Sequence, residues 1–114
     1  MASHKLERIE SDILKYLSNI LLTETRDDLL KTLTLTEVEV NKDLSLAKIY
    51  FTSISELTHE NIEKEANEAA PFLRGKLARV LDVRNIPELR FIYDETIEYA
   101  TKIERIISNI NKEN

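Results

Sequence analysis

Leu6, Ile9, Ile13, Leu17, Ile20 and Leu21 recur at steps of three and four. This is one apolar face of a 3.6-residue period, and it predicts a helix that fades near Thr23. Ser3 stands where an N-cap is expected, because its hydroxyl can accept from a free first-turn amide. Thr25 to Lys31, with Arg26, Asp27 and Asp28, reads as a loop. From Leu33 the spacing changes to two. Leu33 and Leu35 sit on odd positions, Val38 and Val40 on even ones, and a bulge near Thr36 or Glu37 puts all four on one face. Asn41-Lys42-Asp43 supplies turn chemistry. Ala47, Ile49 and Phe51 then mark one face of a second strand, antiparallel to the first.

The longest helix is expected from Thr58, with Glu60 and Glu63 suited to the positive end of the helix dipole. Its apolar stripe is Ile62, Ala66, Ala69, Leu73, Leu77 and Val80. The stripe stays in phase across Pro71, although an interior proline removes one backbone hydrogen bond, pushes away the carbonyl of Asn67 and costs about 3 kcal/mol. The expectation is therefore two helices in one phase, joined by a kink at Ala69-Ala70-Pro71. After a short loop, Leu89, Phe91 and Tyr93 alternate with Arg90, Ile92 and Asp94 as a third strand. Ile97, Ala100, Ile103, Ile106, Ile107 and Ile110 predict a final helix. The order helix, strand, strand, kinked helix, strand, helix predicts an α+β fold. A three-stranded mixed sheet packs its helices on one face. The single glycine, Gly75, and the absence of any Gly/Ser-rich linker make residues 1–114 one expected domain.

Composition narrows the chemistry. The chain has no cysteine, which excludes disulfides, cysteine nucleophiles and cysteine zinc sites. No apolar run approaches the roughly 20 residues that span a bilayer, and Met1 to Glu10 lacks the apolar stretch of a secretory signal. A cytoplasmic, membrane-free protein is expected. His4 and His59 fall at predicted helix starts without a second ligand at metal spacing, so both are expected to be solvated and no metal or other cofactor is expected. One glycine cannot build a phosphate-binding loop, and no GxSxG elbow is present. The acidic pairs Glu37/Glu39 and Asp27/Asp28 are expected to be surface. The inventory points away from an enzyme and from a small-molecule substrate.

Charge changes the picture. The net charge is −5, which on its own argues against a nucleic-acid partner. Yet Phe72 to Ile92 holds five basic and two acidic residues, a net of +3, leaving −8 on the rest. Arg74, Lys76 and Arg79 sit in the last turns of the long helix, where cations complement the dipole; the same cations can bind phosphate. With Leu73 inward, Lys76 and Arg79 lie about 60° apart on one flank and Arg74 on the other. Lys42 and Lys48 on the hairpin are candidates to join them.

Two blocks carry a family resemblance. Val38-Glu39-Val40-Asn41-Lys42-Asp43-Leu44-Ser45-Leu46-Ala47-Lys48-Ile49-Tyr50 resembles the VEVSRDLSxAKVYV hairpin of the ribosome-binding factor A family. Arg84-Asn85-Ile86-Pro87-Glu88-Leu89-Arg90-Phe91-Ile92-Tyr93-Asp94 resembles that family's RxVPELxFxYD strand. Both stand in the family's order, and the resemblance runs from about Leu6 to Ile107. It implies a KH-like fold of the bacterial ribosomal type. It also implies a non-catalytic, monomeric factor that binds the free small ribosomal (30S) subunit, assists late maturation of 16S rRNA and is linked to growth in the cold. The family replaces the GxxG loop of ordinary KH domains by a kink with an Ala-x-Gly pattern. Here Ala69-Ala70-Pro71 keeps the alanine and puts proline in the glycine place, and Pro71 has no N–H to offer a phosphate. The resemblance raises Arg74, Lys76, Arg79 and Arg84, with Lys42 and Lys48, to expected RNA contacts. The competing reading is a protein–protein adaptor that uses the acidic hairpin and touches no RNA.

Overall fold

The computed structural model describes residues 2–96, with side chains from residue 5. Helix α1 runs Ala2–Thr23, a short α2 Asp28–Lys31, strands β1 Leu33–Val40 and β2 Leu46–Ser53, helix α3 His59–Leu77, and strand β3 Glu88–Tyr93. The sheet order is β1-β2-β3. β1 and β2 are antiparallel, β2 and β3 parallel, so α3 makes the crossover between the parallel pair. The expected C-terminal helix from Ile97 lies outside the described residues.

The expected bulge is present: the β1–β2 register shifts between Leu35 and Glu37. It brings Leu33, Val38 and Val40 into the core with Leu35 half-buried beside them. Alternation then orders the sheet. Ala47, Ile49 and Phe51 of β2 and Leu89, Phe91 and Tyr93 of β3 are buried beneath the helices. Phe51 meets Phe91 and Tyr93 edge-on, with ring centroids 6.1 and 5.3 Å apart. From α1 come Ile9, Ile13, Leu17, Ile20 and Leu21, and from α3 come Ile62, Ala66, Ala70, Leu73 and Leu77.

Four expectations need correction, besides that of the longest described helix, which is α1 at 22 residues and not α3 at 19. Ser3 lies inside α1, which begins at Ala2, so it is not the cap. The expected Thr25–Lys31 loop contains α2, capped by Asp27, whose carboxylate accepts from the Leu29 amide at 2.9 Å; one turn is too short to show a period. The stripe of α3 passes through Ala70 rather than Ala69, and the helix ends at Leu77. Val80 is exposed and Leu81 takes its place in the core.

The fourth correction concerns Ala69-Ala70-Pro71. No break divides two helices there; α3 is continuous from His59 to Leu77 with Pro71 inside. Ile62 and Ala66 before the proline and Leu73 and Leu77 after it are all buried on the same side, which holds both halves in register. Pro71 itself is exposed. Asn67 and Pro71 both line an open cleft, and water reaching the carbonyl that loses its donor would limit the cost of the missing bond.

Candidate nucleic-acid interface

β3 is an edge strand, and α3 closes most of its edge. Glu88 N–H donates to Ser45 O at 2.9 Å and Asp94 N–H to Phe51 O at 2.7 Å. In a parallel ladder this parity turns the main-chain groups of Leu89, Phe91 and Tyr93 away from β2. The Asn67 side chain meets Phe91 on both groups. Its Oδ1 accepts from Phe91 N–H at 2.8 Å, and its Nδ2 donates to Phe91 O at 3.0 Å. Glu63 Oε2 accepts from Tyr93 N–H at 2.9 Å. Glu10 of α1 does the same at the opposite edge, accepting from Val40 N–H at 2.8 Å. Helix side chains thus stand in for missing strands, which blocks edge-to-edge pairing.

Leu89 is the exception. Its outward N–H and C=O face a cleft of about 310 Å³ lined by Asn67, Ala70, Pro71, Arg74, Glu88, Leu89 and Arg90. A second cleft of about 410 Å³ shares Pro71 and Arg74 and continues to Gly75, Ala78, Arg84, Asn85 and Ile86. Together they form a groove along the outer side of α3 past Pro71. Arg74 stands between the two parts, and its Nε and Nη2 donate to Ile86 O at 3.1 and 2.6 Å. This bond ties the 82–87 loop, and Arg84 with it, to the helix. The guanidinium keeps further N–H donors for a ligand. Backbone donor and acceptor at Leu89, between guanidiniums at Arg74 and Arg90, can bond a base edge and its phosphates.

The six basic residues singled out in the sequence do not form one surface. Arg74 and Arg84 share the groove. Lys76 lies on the other flank of α3, its ammonium 3.7 Å from Glu24 Oε1 at the end of α1. Arg79 is exposed in the turn after the helix and lines neither cleft. Lys42 is exposed in the hairpin turn. That turn is held by Asn41 Oδ1 accepting from Ser45 and Leu46 N–H, with Leu44 at φ 61°. Lys48 sits on the sheet face away from the helices, in register between Glu39 and Arg90. Arg90 belongs to the same basic stretch; as an exposed residue of the edge strand, it lines the groove and sits beside Lys48. Asn67 and Glu63 are edge partners that the sequence pattern does not name.

Asp43, Asp94 and Tyr50 are perturbed among the described residues. The hydroxyl and amide of Ser45 hold the Asp43 carboxyl below the ordinary range. The Thr36 hydroxyl, 2.6 Å from Asp94 Oδ2, and the Thr96 amide do the same for Asp94. Desolvation, then the charges of Glu39, Glu37 and Asp94, raise Tyr50. None lines the groove. His59, expected to be solvated, stacks on Tyr93 at 3.6 Å between centroids and meets Glu95 Oε1 at 3.3 Å. Among the described residues no cluster of three His, Asp or Glu side chains can hold a metal, and no helix is long and apolar enough to cross a membrane.

An α+β domain with a mixed three-stranded sheet, a crossover helix beside its edge strand and a basic groove between them is a KH-like domain. The sequence model of "Ribosome-binding factor A" matches residues 5–107, and the chain belongs to that family. It is 34% identical over 116 residues to ribosome-binding factor A of Streptococcus mutans, covering 100% of both chains. The crystal structure of ribosome-binding factor A from Thermus thermophilus superposes with a TM-score of 0.68 at 25% identity, over 77% of this chain and 94% of that one. A homology model of the Thermus thermophilus factor, fitted into the cryo-EM map of its complex with the 30S subunit, superposes at 0.56. Its identity is 27%, over 73% of this chain and 92% of that one.

Proposed function

We propose that this chain is a non-catalytic, cytoplasmic RNA-binding assembly factor. It binds the free small ribosomal subunit as a single monomeric domain and assists late maturation of 16S rRNA. One observation carries the reading to particular residues: Arg74, Arg84 and Arg90 line the groove beside Pro71, with Glu88 as its one carboxylate, in a chain of net charge −5. The relative seen on a 30S subunit supports the partner. The acidic remainder weakens non-specific attraction to RNA, which follows counterion release. Arg84, which lines the groove, and Arg79, in the turn after α3 and outside the groove, are the clean probes of this face. Both are exposed, and neither side chain is bonded to another of the described residues, whereas Arg74 holds Ile86 and Lys76 meets Glu24.

The test is co-sedimentation of wild type and Arg79→Glu/Arg84→Glu with purified small subunits at several salt concentrations. Wild type is expected to bind with a steep log–log salt slope, and the folded double variant to bind more weakly with a shallower slope. Equal binding with one common shallow slope refutes RNA contact by this surface and favours the adaptor, whose exposed acids are Glu37 and Glu39 on β1.

A further inference from the structure

We propose that Phe72 is a stacking platform for one unpaired nucleobase, with Lys76 and Arg79 taking the phosphates beside it; the proposal rests on the RNA-binding reading above. Phe72 precedes the buried Leu73, and the 100° turn per residue carries its ring out of the core. It is 51% exposed and is the only exposed aromatic among the described residues. Single exposed aliphatic residues are ordinary. An open phenyl ring beside a cation is a more specific arrangement. Lys76 Nζ stands 5.6 Å from the ring centroid, at the far limit of a cation–π contact. Glu24 holds the same ammonium at 3.7 Å, which orders it beside the ring before any ligand arrives. Arg79 follows, exposed, in the turn that ends the helix.

The surroundings select the occupant. An apolar protein partner needs broad apolar surface around its aromatic anchor, but the helical neighbours of Phe72 are Glu68 and the small, half-buried Ala69 one turn back, and Gly75 and Lys76 one turn on. An exposed ring with adjacent cations suits a base on a charged backbone, where stacking contributes about 1–3 kcal/mol per base. Glu68 sets a direction: the strand runs toward the C-terminal end of α3, away from its acidic first half. Paired RNA keeps its bases inside the stack, so the platform selects single-stranded RNA.

The chain contains no tryptophan, so Phe72→Trp supplies a single indole reporter. Titrated with a short oligoadenylate, its emission is expected to be quenched; a duplex RNA with as many phosphates leaves it unchanged. Phe72→Ala and Phe72→Leu are expected to lose about 5- to 150-fold in oligoadenylate affinity, the equivalent of one stacked base. Phe72→Tyr is expected to bind as wild type does, and circular dichroism to report all four folded. An unquenched indole at saturating oligoadenylate overturns the proposal, as does wild-type affinity in both Phe72→Ala and Phe72→Leu. Variants that keep oligoadenylate but lose small subunits also overturn it and assign Phe72 to a protein contact. Failure of wild type to co-sediment with small subunits is a separate result, and it overturns the wider reading instead.

Discussion

Asn67 joins α3 to the edge strand by hydrogen bonds to both main-chain groups of Phe91, and Asn67→Ala isolates its role. The carboxamide makes three hydrogen bonds: to Phe91 N–H at 2.8 Å, to Phe91 O at 3.0 Å and to Glu63 O at 2.9 Å. The last is local to the helix and replaceable by water. The two to Phe91 are not easily replaced, because the strand edge there is half-buried under α3. A net hydrogen bond contributes about 1 kcal/mol, and a stranded buried group costs about 1–3 kcal/mol. Helix propensity favours alanine over asparagine by roughly half a kcal/mol. The expected loss is therefore about 1.5–3 kcal/mol, measured as a shift in the urea midpoint at unchanged slope. Native-state hydrogen exchange supplies the site-specific readout: the Phe91 amide is expected to lose protection beyond the global change, while the Arg90 amide, bonded to β2, is not. A loss below about 0.5 kcal/mol with Phe91 protection intact would refute this role for Asn67.

Three further outcomes are expected. Phe91→Ala, which removes a 1%-exposed ring packed on Phe51, is expected to lower stability by about 3–5 kcal/mol, read from the same denaturant midpoint. Thr36→Val removes the main cause of the depressed Asp94 carboxyl. A depressed folded-state value stabilises above the ordinary carboxylate range and is lost as pH falls through it, so the variant is expected to begin acid unfolding at a higher pH in a circular-dichroism titration. Gly75→Ala adds a Cβ that meets nothing within 4 Å, so it is expected to raise stability by about 0.5–1 kcal/mol. If RNA lies close along the groove, the same variant weakens small-subunit binding in the sedimentation assay.

Much of the fold was legible because burial imposes periods. The steps of three and four in α1 and the alternation in β2 and β3 place core residues without knowledge of partners. The parity slip at Leu35/Val38 even revealed the bulge. What failed depended on tertiary context. Pro71 argues for a break on local grounds, yet buried side chains on both sides keep α3 whole. Glu63 reads as a dipole partner but caps the edge strand through Tyr93. For the site, charge bias located the right segment but not its geometry. Successive helical residues face different ways, so Arg74 meets Ile86 while Lys76 turns toward Glu24 on α1. Arg90 belongs to the groove only because the crossover sets the edge strand beside α3. Asn67 carried one signal in sequence, a poor helix former next to the buried stripe, and that signal does not name its partner.

The most direct test of RNA contact through the α3 groove is ultraviolet crosslinking of wild type to purified small subunits, followed by mass spectrometry of the crosslinked peptides. Nucleotide adducts are expected on peptides spanning residues 72–90 and to weaken in Arg84→Glu, whose side chain lines the groove. Adducts absent from that segment, with crosslinks running instead from the β1–β2 hairpin to ribosomal proteins, would contradict the account.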